Sequence, residues 1–233
     1  MNRKRIPILA LTFAAALVAS TSCRTQPAGA TAEGGLRGRL EVERFHVGPG
    51  ETVWIDDDVH IVAATNIVVE GELIARDRAA GRPSANGPRI TLEAGDGIVV
   101  LGAVRGGRGA DRLDLDEIGG DGSSITAIAP YVVIDGLIQG GEGGTSGPSM
   151  AGGRGGDVLL VGQALTTRSD GKSTYLGGQG GTGGKGDAEH GAGGAGGPGG
   201  AGGAGGSIRV EPPRTPSTKT VEEFLLDAIG RID

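Results

Sequence analysis

From Gly177 to Gly186 the chain reads Gly-Gly-Gln, Gly-Gly-Thr, Gly-Gly-Lys, Gly; from Gly193 to Gly206 it reads Gly-Gly-Ala, Gly-Gly-Pro, Gly-Gly-Ala, Gly-Gly-Ala, Gly-Gly. A period of three fits neither an α-helix nor a β-strand, whose side-chain periods are about 3.6 and 2. It fits the left-handed threefold helix, which makes no hydrogen bonds within itself. With glycine at two positions of three, such helices can approach until N–H, C=O and Cα–H groups pair between them. The polar stretch Asp187–Ala192 then predicts an out-and-back pair over 177–206, with a shorter pair over 140–156 whose tip is Thr145–Ala151. The competing expectation is flexible glycine loops, since ordering glycine costs the most backbone entropy.

Outside these runs the chain repeats itself. Ile67-Val-Val-Glu-Gly71 recurs as Ile98-Val-Val-Leu-Gly102 and as Val132-Val-Ile-Asp-Gly136. A short strand precedes each: Val59–Ala63, Ile90–Ala94 and Ile125–Ala129. Val158–Val161 and Ser207–Val210 read as later copies of that leading strand, so the starts Val59, Ile90, Ile125, Val158 and Ile208 are spaced 31, 35, 33 and 50 residues apart. Such a period marks a stacked array, because no single unit can bury its own apolar face. Alternation in Ile90, Leu92, Ala94 and in Ile98, Val100 turns one residue set inward. Only 3% of the residues are aromatic, which fits a thin aliphatic core. The fold expected is all-β, a right-handed parallel β-helix with glycine-rich insertions and a short C-terminal helix, the hand following the general rule for parallel crossovers. A transmembrane β-barrel would need alternating strands of about 9 to 11 residues with aromatic girdles, and neither occurs.

The stretch Glu51–Ile55, Val59–Ile61 and Asn66–Gly71 resembles the opening coils of secreted bacterial β-helix proteins of the pectin-lyase-like superfamily, over roughly residues 45 to 213. The glycine runs resemble the polyglycine-II bundles of glycine-rich antifreeze proteins and phage tail-tip adhesins, a likeness of backbone style that carries no functional residues across.

At the N-terminus a basic Asn-Arg-Lys-Arg precedes the apolar run Ile6–Ala19 and the small residues Ser20, Thr21 and Ser22, the layout of a secretory signal peptide. Ser20-Thr-Ser-Cys23 resembles the lipobox of bacterial lipoproteins, in which the cysteine becomes the lipidated first residue. Ser20 stands where that pattern prefers leucine, and ordinary signal-peptidase cleavage near Ser22 is the alternative. Arg24, in place of the aspartate that marks inner-membrane retention, implies an outer-membrane or cell-surface anchor through Cys23; simple secretion is the other address. The division expected is signal peptide 1–22, lipidated tether 23–40, β-helix 41–213 with insertions at 103–122, 140–156 and 177–206, and a capping segment 214–233. The formal charge of -6 shows no basic patch, so nucleic acid is not an expected partner; a surface glycan or a protein is.

Three constellations carry candidate chemistry. Gly106-Gly-Arg-Gly-Ala-Asp111 and Gly152-Gly-Arg-Gly-Gly-Asp157 match the calcium-binding β-roll nonapeptide, which would make Asp111 and Asp157 calcium ligands, although the copies are isolated and that chemistry needs them in tandem. Asp56, Asp57, Asp58 and His60 form a polar face that serves either as a plain turn or as the carboxylate cluster of a polysaccharide-cleaving or carbohydrate-binding protein. His46 and His190 lack partners at metal-ligand spacing. At the C-terminus Thr220-Val-Glu-Glu223 is a capping box, followed by an apolar face of Val221, Phe224, Leu225, Ala228, Ile229 and Ile232 expected to cover the last coil or to bind a partner. The function these features lead to is non-enzymatic: a surface-anchored structural or adhesive protein.

Overall fold

The computed structural model describes residues 34–80, 85–112, 117–146, 150–165, 175–182, 204–213 and 219–229. Cys23, the segment 1–22, His190 and the stretch 183–203 lie outside them. The described residues hold a single 13-stranded sheet and one nine-residue helix.

Every strand pairing is parallel. Three ladders account for them. The first joins β1 (Leu36–Val42), the second half of β3 (Thr52–Ala63), β6 (Ile90–Ala94), β9 (Ile125–Ile134), β11 (Val158–Leu165) and β13 (Ile208–Glu211). Its register matches Val59, Ile90, Ile125, Val158 and Ile208, the five starts read from the sequence. The second joins β2 (Phe45–Val47), β4 (Asn66–Val69), β7 (Gly97–Val100) and the second halves of β9 and β11. The third joins the first half of β3 to β5 (Glu72–Ala75), β8 (Ala103–Arg105), β10 (Leu137–Gln139) and β12 (Tyr175–Leu176).

Each repeat visits the first, second and third ladder in turn; the first then continues directly along β3 into the first ladder, and the later ones run through glycine-containing segments back to it. One buried cluster lies between the ladders, built of Val, Ile, Leu and Ala, including Ile61, Ile90, Leu92, Ile98, Val100 and Val132. The inward alternation expected from the sequence is therefore met. Where the second ladder turns into the third, Gly71, Gly102 and Gly136 stack. A side chain on Gly102 would come within 1.9 Å of the carbonyl oxygen of Gly71, and one on Gly136 within 1.9 Å of that of Gly102.

Two boundaries move. Pairing begins at Leu36, inside the stretch read as tether, because alternating Leu36, Leu40 and Val42 pack on the core. The insertion read as 103–122 gives its first three residues to β8, since Val104 fills a core position.

The helix α1 (Val221–Ile229) begins with the expected capping box: the Glu223 N–H donates to Thr220 Oγ1 at 3.2 Å and the Thr220 N–H to Glu223 Oε2 at 2.8 Å. Its position differs from the expectation that it covers the last coil. Phe224 and Ala228 are buried against Val68, Val99, Tyr131 and Val133, the outward side of the second ladder. Those strands are apolar on both faces, and the helix shields the outer one.

Candidate functional site

The glycine segments leave the third ladder and return to the first. Outbound threads run through 76–80, 106–112, 140–146 and 177–182; inbound threads run through 85–89, 117–124, 150–157 and 204–207. Over 151–157 exposure follows the period of three, with Gly152, Gly153, Gly155 and Gly156 buried and Ala151 and Arg154 exposed. None of the glycines in these threads has a positive φ, so conformational freedom is not why glycine is required. Proximity is. A Cβ on Gly141 would lie 1.9 Å from the Gly107 carbonyl oxygen, and one on Gly178 would lie 1.8 Å from that of Gly141.

Backbone bonds run through the threads in two unbroken series. Gly206 donates to Gly178, Gly178 to Gly156, Gly156 to Gly141, Gly141 to Ser123 and Ser123 to Gly107, at 2.8 to 3.0 Å. One turn further out, Gly181 donates to Gly153, Gly153 to Gly144, Gly144 to Gly120, Gly120 to Ala110 and Ala110 to Ala85, at 2.7 to 2.9 Å. Each step crosses between an outbound and an inbound thread. Within a column, Gly109 donates to Glu142 and Gly143 to Gln179, while Gly122 donates to Arg154 and Gly155 to Ala204. The pair expected over 140–156 is present on both sides of its tip and belongs to a continuous two-layer slab. For 177–206 the two ends, 177–182 and 204–207, join the same slab.

Other backbone N–H groups of the threads do not bond to a neighbouring backbone carbonyl. A side chain of the preceding repeat accepts them instead: Asp58 from Arg89 at 2.9 Å, Asp77 from Arg108 at 2.7 Å, Asn86 from Asp121 at 2.9 Å. Asp111 likewise accepts from Thr145 at 2.7 Å, Asp121 from Arg154 at 2.8 Å, and Ser124 from Asp157 at 3.2 Å. These residues satisfy donors that would otherwise be stranded at the edge of a packed backbone. Asp111, Asp121 and Ser124 stand at the third positions of 109–111, 119–121 and 122–124, a signal present in the sequence and not used.

The two aspartates read as calcium ligands serve this arrangement. Asp111 sits in an outbound thread, also paired with Arg108 at 2.9 Å; Asp157 sits in an inbound one. Among the described residues no group of three or more His, Cys, Asp or Glu converges on a metal position. Asp157 accepts the Ser207 N–H at 2.6 Å and its hydroxyl at 2.9 Å. The backbone bond from Ser207, more than its hydroxyl and the nearby Arg154, holds the carboxyl below its ordinary 3.8 against partial desolvation. A depressed carboxylate pKa contributes stability above the unfolded value that is lost as pH falls through the folded one. The Ser207 amide should therefore titrate with a midpoint below 3.8 when followed by NMR, and lose that step in Asp157→Asn. A midpoint at or above that value would count against the bond.

Asp56, Asp57 and Asp58 occupy the corner of β3 where the first repeat passes between ladders without a thread. Each meets a different arginine of the next repeat: Asp56 with Arg76 at 2.8 Å, Asp57 with Arg78 at 2.5 Å, Asp58 with Arg89 at 2.9 Å. The Arg78 side chain is 6% exposed and also donates to the Asn86 and Asp56 carbonyls at 3.0 and 3.2 Å, so it ties the outbound and inbound arms of its loop to the corner. His60 lies apart, between Arg39 at 3.0 Å and Glu93 at 2.9 Å. The corner thus anchors the first thread, and its three carboxylates do not share one cleft. Trp54 is 42% exposed, with the Arg76 guanidinium 4.9 Å from its ring centroid. A shallow groove that sequence reasoning missed is lined by Glu51, Glu70 and Glu72 beside Gly71 and Gly102. There Glu70 pairs with His46 at 2.9 Å, and Glu51 accepts the Gly48 N–H at 3.0 Å.

The chain matches no protein-family model, and no curated protein or solved structure is significantly similar to it.

Proposed function

We propose that this chain is a non-catalytic, surface-anchored lipoprotein whose ladders wind as a right-handed parallel β-helix and hold a rigid glycine slab out for structural or adhesive contact. The fixed order of visits to the three ladders, all in parallel register, supports the helix, and the general rule for parallel crossovers supports its hand. The observation that carries the functional reading is the slab. Its interior is packed backbone with small side chains such as those of Ala110 and Ser123, so its chemistry lies in the residues of its two flanks, such as Arg108, Glu142 and Gln179 on one and Asp121, Arg154 and Asp157 on the other. Acids and bases there alternate and interlock, a surface suited to broad polar contact. At the corner, the aspartates of the polar face are each held by an arginine, which favours a supporting role over acid–base work. The anchor rests on the basic n-region, the apolar run and the placement of Cys23; a diacyl thioether and an amide-linked chain would give stable attachment where one acyl chain is marginal.

In cells labelled with a palmitate analogue, the wild-type chain should be tagged and Cys23→Ser should not. A variant with Arg108, Glu142 and Arg154 all changed to alanine should remain surface-displayed yet lose cell attachment. Equal labelling would overturn the anchor. Unchanged attachment, or saturable polysaccharide cleavage by the full chain, would overturn the adhesive reading.

A further inference from the structure

Among the described residues, nothing pairs with the outer edge of β13 at the C-terminal end of the stack. In register with the buried Val158 and Leu160, Ile208 and Val210 occupy core positions, yet they are 43% and 48% exposed. Among the described residues β13 pairs with β11 alone. The Val158 N–H donates to the Ser207 carbonyl, and strand alternation then aims the N–H and C=O groups of Ile208 and Val210 at the free edge. Such an edge, with apolar side chains beside it, is a template for another strand.

The segments that follow β11 and flank β13 in the sequence offer little to cover it. Segments 166–174, 183–203 and 214–218 contain no Val, Ile, Leu, Met or aromatic residue. The apolar side of α1 is spent on the second ladder.

We propose that this end is the interface between two copies of the chain, with β13 pairing antiparallel to β13 of the partner about a two-fold axis at Val210. A two-fold contact must be self-complementary, and β13 is. With Val210 opposite the partner's Val210, Arg209 stands opposite the partner's Glu211, and Glu211 opposite the partner's Arg209. Within one copy Arg209 and Glu211 already lie 2.8 Å apart on the outward side, so a small rotation of each side chain exchanges the partner. Val210 sits at a position whose N–H and C=O face the edge, so the two copies exchange a pair of backbone bonds at the axis, and the four apolar side chains of Ile208 and Val210 cover one another. The proposal is independent of the lipid anchor; it places the two β1 strands at opposite ends of the pair.

The test uses purified full chain and its mass in solution across a concentration series. Wild type should reach twice the monomer mass. Arg209→Glu and Glu211→Arg should each stay monomeric with unchanged circular dichroism, because each sets like charges face to face. Mixing those two variants should restore the dimer as a heterodimer, since one copy then carries two acids and the other two bases. In the Cys23→Ser background, Val210→Cys should cross-link to a dimer on oxidation. A wild type monomeric throughout, a dimer indifferent to both charge changes, or a mixture that stays monomeric would each overturn the proposal.

Discussion

Gly141→Ala should destabilise the protein by about 3 kcal/mol or more, at the upper end of what overpacking costs, while Glu142→Ala beside it should change stability by less than about 0.5 kcal/mol. A methyl group added at Gly141 would stand 1.9 Å from the Gly107 carbonyl oxygen, 2.5 Å from the Ser123 nitrogen and 2.8 Å from the Gly107 carbonyl carbon. All three are backbone atoms, so no side chain can swing away to make room. The thread must move, and Gly141 is a middle member of the series that joins Gly206 to Gly107. Displacing it lengthens the bonds from Gly141 to Ser123 and from Ser123 to Gly107 together. Hydrogen bonds in series polarise one another, so disrupting one weakens its neighbours. Glu142 projects outward, and its carbonyl, which accepts from Gly109, is retained in alanine. Denaturant unfolding of the two variants with equal slopes would settle the comparison; a Gly141→Ala loss as small as that of Glu142→Ala would show that the threads are loosely packed.

The same physics decides how much of this architecture was legible in the residues. The first ladder could be read because β-branched strands recurred at a regular spacing, and the five starts turned out to be register partners. The third ladder was missed. Its strands β8 and β10 are three residues long and follow a corner glycine directly, so each reads as the tail of the motif before it. The threefold glycine period announced the threads and their reversal, but glycine has no side chain to record which thread lies beside which. That arrangement follows from ladder register, and the register places Asp111 on the Thr145 amide and Asp157 on that of Ser207. The same two aspartates, read locally as part of a nonapeptide, looked like metal ligands. Asp56, Asp57 and Asp58 posed the same difficulty: their arginine partners, Arg76, Arg78 and Arg89, belong to the next repeat, and nothing local pairs them. The helix was the reverse case. Its cap and apolar face were local and therefore readable, while its docking surface was written elsewhere, in Ile67-Val68-Val69, Ile98-Val99-Val100 and Val132-Val133-Ile134. Strands apolar at consecutive positions are covered on both faces, and that was the available sign of where the helix would lie.

Phe224→Ala should release α1 from the second ladder and lower stability by about 3 kcal/mol, within the range for truncating a buried phenylalanine. The ring is fully buried and stacks on Tyr131 with centroids 5.4 Å apart. It fits because position 97 is glycine: a Cβ there would come within 2.3 Å of the Phe224 ring. In the ladder Gly97 lies between Asn66 and Tyr131, so the missing side chain makes a notch flanked by larger residues. Two polar contacts close the same junction, the Tyr131 hydroxyl donating to the Lys219 carbonyl and Lys219 Nζ to Asp96 Oδ2 at 2.7 Å. Gly97→Ala should therefore free the helix as Phe224→Ala does, by filling the notch in place of emptying it. The double variant should be no less stable than Phe224→Ala alone, because truncating Phe224 leaves room for the methyl group added at Gly97. Coupling of that sign is expected only for groups that compete for one space. Stability from denaturant unfolding, with amide exchange across 221–229 to report the helix itself, would complete the cycle. Additive losses would mean that Phe224 is held by something other than the notch at Gly97.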